Sequence, residues 1–166
     1  MSTAQRILIG GGLALAALGM LYGLHYAVFV EHQTLDAMGG SFAQGFANAA
    51  KRKMPAAHQA MDGYASAKYA YVRQVDVHSH WVGLAMVMIL LGVAFDWVAL
   101  TDRVRTLVAA SLATGSFVFP LGVILQTMTQ GSTFSKALAI LGSALVTIAL
   151  AAVVLGFSRN ATAAEH

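Results

Sequence analysis

The sequence of 166 residues contains no cysteine. That absence excludes disulfides, thiolate nucleophiles, iron–sulfur clusters and zinc–thiolate sites. Charge is also scarce. Asp, Glu, Lys and Arg make up 10% of the chain, against about a quarter in a soluble domain. The carboxylates are Glu31, Asp36, Asp62, Asp76, Asp96, Asp102 and Glu165, and none forms an acid–base pair at catalytic spacing. There is no HExxH zinc pattern and no nucleophile elbow around Ser79. Gly10–Gly12 falls inside an apolar run and is not a phosphate loop.

What the chain has in excess is apolar surface. It is 58% hydrophobic, with a mean hydropathy of +0.68. These values exclude an ordinary soluble globule, a disordered tail and a nucleic-acid-binding domain. The net charge of +3 therefore bears on membrane topology and not on nucleic acid. Four stretches are long enough to cross a bilayer, at about residues 7–30, 78–100, 104–127 and 135–157. Ile7–Val30 carries no formal charge. Asp96, Arg105 and Lys136 lie near span ends, where they can reach water. The first run is too long for a signal peptide, and no small-residue cleavage site ends it before Glu31, so it reads as a retained anchor. The expected fold is all-α: an integral membrane four-helix bundle forming one domain over residues 1–166.

The insert 31–77 between the first two spans is polar. It shows a Gly-Gly break at Gly39–Gly40, a basic triplet Lys51–Lys53 and Pro55. Its second half, Ala57–Asp76, has Met61, Tyr64, Tyr71 and Val75 near helical spacing. That half predicts an amphipathic helix, lying on the membrane or running straight into span two. Tyr64, Tyr69 and Tyr71 read as interfacial anchors. Gly10–Gly12, Gly19-x-x-x-Gly23, Ala109, Ala113, Gly115 and Gly142–Ala144 predict close helix packing, within one bundle or between subunits. Pro120 predicts a kink in span three.

Orientation rests on Lys and Arg at the span ends. With both termini inside, Arg6, Arg103, Arg105 and Arg159 are cytoplasmic, and Lys51, Arg52, Lys53, Lys68, Arg73 and Lys136 are outside. The raw count favours the reverse, but the first four all adjoin spans whereas Lys51–Lys53 are remote. The expected topology is N-in and C-in, with the His-rich face outward.

Five of the six histidines, His25, His32, His58, His78 and His80, fall on one membrane face in a four-span topology. His166 is terminal and uninvolved. Imidazole is the commonest metal ligand, and His25 sits among apolar neighbours, where it needs a hydrogen bond or a ligand role. His78 and His80 are two apart, so on a helix they diverge by about 200° and cannot chelate one ion. Copper could use His32 and His58 with Met20, Met38, Met54, Met61 or Met128. Haem needs only one or two His and an apolar slot lined by small residues.

Three stretches resemble the styrene oxide isomerase family, small four-span membrane proteins that bind haem b and form trimers. They are GMLYGLHYAV around His25, HSHWVGLAMVMILLGVAF opening at His78, and the TDRVRTL turn. The opening of span two is also similar to the start of the second helix of haem–copper oxidase subunits, where a haem ligand sits. The resemblance implies haem b with His78 as iron ligand, and His25 matches the family's span-one His. The family's asparagine and tyrosine beside the iron fall, by ungapped matching, at Leu84 and Val123, both apolar. The insert is also much longer than the family's loop.

The histidines and the resemblance together imply a haem b protein of the lipid bilayer, in a bacterial inner membrane, and the resemblance implies a homotrimer. With an open iron it would act as a Lewis acid in an isomerase-like reaction on a small apolar substrate. With His25 or His80 as a second ligand it would transfer electrons. The alternatives are a copper-binding protein and a cofactor-free accessory subunit partnered within a larger membrane complex.

Overall fold

The computed structural model describes residues 1–129 and 131–163. His166 and Glu165 lie outside them. Among the described residues the chain is all-α, with no strand. Five helices follow in order: α1 Thr3–Phe29, α2 Glu31–Ala50, α3 Met54–Ala94, α4 Asp102–Met128 and α5 Thr133–Ala163. A 3-10 turn, Phe95–Trp97, ends α3. Four of the helical stretches are long and apolar enough to cross a membrane: Thr3–Phe29, Met54–Trp97, Asp102–Met128 and Thr133–Arg159.

The insert differs from its expected form in one respect. Gly39–Gly40 does not break it, because α2 runs through both residues. Glycine costs a helix about 1 kcal/mol relative to alanine. A helix of 20 residues that packs along α3 absorbs that. The second half of the insert does run straight into span two, because α3 is unbroken over 41 residues. At about 1.5 Å per residue α3 is roughly 60 Å long. That is about twice the length that a single span needs.

The chain divides into two compact units, Met1–Met20 with Val77–His166, and Leu21–Asp76. In the first unit α1 and α3 pack antiparallel through glycines. A Cβ at Gly12 would lie 2.9 Å from the Ala85 carbonyl oxygen, one at Gly19 3.0 Å from Trp81 Cβ, and one at Gly92 3.2 Å from Leu8 Cβ. α4 and α5 form the tightest pair. A Cβ at Gly115 would meet the Gly142 carbonyl at 2.8 Å, and one at Gly122 would meet Ala139 N at 2.5 Å. Lipid gives no hydrophobic drive for helices to associate, so such backbone proximity is what holds them. Pro120 lies buried inside α4.

The polar end of this unit is pinned by Arg105. Its Nε and Nη2 donate to the Val98 carbonyl at 3.2 and 2.6 Å, and Nη2 also reaches the Asp96 carbonyl at 3.4 Å. Gln5 Nε2 donates to Asp96 Oδ2 at 3.1 Å. Arg105 therefore stays within the protein and caps carbonyls that the 3-10 turn leaves open.

The second unit is built on a hairpin of α2 and the start of α3. The turn puts Arg52 at φ 55°, a left-handed residue without the usual glycine. Lys53 N donates back to the Asn48 carbonyl at 2.9 Å. Phe42 packs on Tyr64, with centroids 5.6 Å apart, and Tyr71 donates to Glu31 Oε1 at 3.4 Å.

Candidate functional site

His78 lies on α3 in the first unit, half-buried. Its Nδ1 is 2.9 Å from the carbonyl oxygen of Gly19 on α1. A carbonyl can only accept, so Nδ1 carries the proton and donates. A neutral ring in that tautomer presents Nε2 as a bare lone pair. This is the arrangement in which histidines bind metals, one nitrogen anchored to a carbonyl and the other on the ion. The close approach depends on Gly19. A Cβ there would press on Trp81 Cβ at 3.0 Å and on Val82 Cγ2 at 3.1 Å.

His80 turns elsewhere. Its ring packs edge-on against Phe119 of α4, with centroids 4.8 Å apart at 84°. The two rings leave α3 in different directions, as their spacing requires. One turn on from His78, Trp81 stacks on Phe117 with centroids 6.5 Å apart. Phe117 also lines an apolar groove of ≈ 190 Å³ with Gly11, Ala14, Leu15, Met88 and Ala113. Ligand pockets for small molecules run from about 300 Å³. The groove falls below that size, and His78 is not part of its lining.

Sequence reasoning missed two features here. It took Gly19 for packing alone, although a glycine one face away from a histidine in a neighbouring span was the available signal. It also passed over Ser116, whose hydroxyl is fully buried with no hydrogen-bond partner among the described residues. Ser116 is four residues before Pro120, which has no N–H to offer the Ser116 carbonyl. The Ser116 carbonyl thus loses its ordinary i+4 donor beside a hydroxyl that has no partner among the described residues.

No family model, curated protein or solved structure matches this chain. The residues alone carry the functional reading.

The other three histidines belong to the second unit. His25 is exposed on α1, its ring 5.5 Å from that of Phe29 at the next turn. His32 pairs with Asp36 at 3.4 Å across one turn of α2, both largely exposed. His58 lines a groove between α3 and α2. Among the described residues no group of three or more His, Asp or Glu is placed to hold a metal ion. A hard-ligand centre of the zinc type is therefore not built among them.

Proposed function

We propose that this is a haem b-binding integral membrane protein with His78 as the axial ligand. The observation that carries the reading is the His78 Nδ1–Gly19 hydrogen bond of 2.9 Å. It fixes the tautomer, holds the ring against rotation and leaves Nε2 for iron. A groove of small and apolar residues on α1, α3 and α4 lies in the same unit, though His78 does not line it. The resemblance to the styrene oxide isomerase family supports the same ligand.

Ferric haem held there would supply a Lewis-acid iron for an isomerase-like reaction on a small apolar substrate. His78 binds and orients. Trp81, buried one turn on, stacks on Phe117. Leu84 and Val123 offer no hydrogen bond to a substrate oxygen, so these two positions do not act as the family's polar pair does. The His80 ring packs edge-on against Phe119, a contact it would give up to serve as a second iron ligand, which favours an open iron over electron transfer.

Residence in a bacterial inner membrane, N-in and C-in topology with the His-rich face outward, and a homotrimer complete the proposal. Charge at the span ends supports the topology, and the resemblance supports the trimer.

The test is the visible spectrum of detergent-purified protein, oxidised and dithionite-reduced, beside a His78→Ala variant. We expect a Soret band in the wild type that is lost in the variant, with a five-coordinate reduced spectrum. A wild type that stays colourless under haem supply, or a variant with an unchanged Soret band, refutes the reading. A six-coordinate reduced spectrum would replace catalysis with electron transfer.

A further inference from the structure

A second set of metal-binding donors lies far along α3 from His78. Met54, His58 and Met61 are spaced i, i+4 and i+7, which places them on one face of the helix. All three line one groove of ≈ 230 Å³, whose opposite wall is Gly45, Phe46 and Ala49 of α2. The lining is apolar almost throughout, and His58 meets the groove through its carbon atoms. It is open because Gly45 has no side chain. A Cβ there would lie 3.0 Å from Met61 Sδ.

Met61 packs its Sδ over Gly45 yet is 40% exposed, and Met54 is 51% exposed. A methionine that fills a core is buried. Here two thioethers flank an accessible imidazole on the wall of an apolar groove.

We propose that Met54, His58 and Met61 form a binding site for Cu(I). Two thioethers and one imidazole are soft and neutral, the donor set that selects Cu(I) over zinc or hard cations. Lys51, Arg52 and Lys53 directly precede Met54 and repel any cation, a divalent ion twice as strongly as a monovalent one, so charge bears on selectivity and not on affinity. The site lies wholly in the second unit and does not depend on the haem proposal.

The experiment uses the full chain in detergent, anaerobic, with Cu(I) in competition against a chromogenic Cu(I) chelator. His58→Leu and the double variant Met54→Leu/Met61→Leu are compared with wild type, and far-UV circular dichroism confirms the helical fold. We expect one Cu(I) per chain, and affinity reduced about tenfold or more in each variant, tenfold being the change that one modest ligand bond makes. X-ray absorption of the wild-type complex should show sulfur scatterers that the double variant lacks. Retention of wild-type affinity in the double variant, failure of the wild type to compete, or tighter binding of Zn(II) than of Cu(I) would each overturn the proposal. His78→Ala should leave Cu(I) binding unchanged, which separates this site from the haem reading.

Discussion

Replacing Gly122 by alanine sets a favourable local effect against an unfavourable tertiary one. In an exposed helix, Gly→Ala gains about 1 kcal/mol of helix propensity. At Gly122 the added Cβ would lie 2.5 Å from Ala139 N, 2.8 Å from its Cα and 3.0 Å from its Cβ. The obstacle is mainly backbone, which cannot rotate away. Ordinary contact begins near 3.4 Å, so α4 and α5 must part by about 0.9 Å. Overpacking of this kind costs about 1–3 kcal/mol, and separation also weakens the contacts around Gly115 and Gly142. The expected net effect is a destabilisation of about 1–2 kcal/mol. Gly10→Ala is the matched control, because a Cβ there meets nothing within 4 Å. It should stabilise by up to about 1 kcal/mol. Equilibrium unfolding in mixed micelles, followed by tryptophan fluorescence across an SDS titration, reads both, since Trp81 is only 4% exposed. Opposite shifts of the two midpoints are expected. Equal shifts in the same direction would refute the claim that backbone contact, and not propensity, governs the α4–α5 pair.

Two further substitutions test other parts of the same unit. Arg105→Ala removes the donors to the Val98 and Asp96 carbonyls and should cost about 1–2 kcal/mol in the same titration; an unchanged midpoint would mean that water replaces the guanidinium there. Ser116→Ala deletes a buried hydroxyl that has no partner among the described residues and should raise stability by about 1 kcal/mol, whereas a loss would show that the hydroxyl has a partner of its own in the membrane.

Much of the architecture was legible because lipid imposes simple rules. Runs of uncharged residues mark spans, and the 104–127 estimate falls within two residues of both ends of α4, whereas 78–100 covers only the C-terminal part of α3 and overruns its end by six residues. The insert was harder. Gly39–Gly40 reads as a break by propensity, yet both residues sit on an exposed face of α2, where nothing touches them, and pairing with α3 carries the helix through. The divergence of His78 and His80 followed from helical geometry alone. The partner of His78 did not, because a backbone carbonyl has no side-chain signature and its approach depends on which glycine faces which helix. The face shared by Met54, His58 and Met61 was implicit in their spacing, but the groove needed α2 to supply its other wall.

The glycine contacts also set a timetable for synthesis. Gly122 meets Ala139 only 17 residues later in the chain, so at about 5–20 residues per second α4 waits about 1–3 s for its partner. Gly12 precedes Ile89, which it packs against, by 77 residues. At the same rate α1 waits about 4–15 s. Throughout that interval its glycine stripe faces lipid with nothing to close on. Any factor that shields the nascent α1 must therefore act before the last two helices exist.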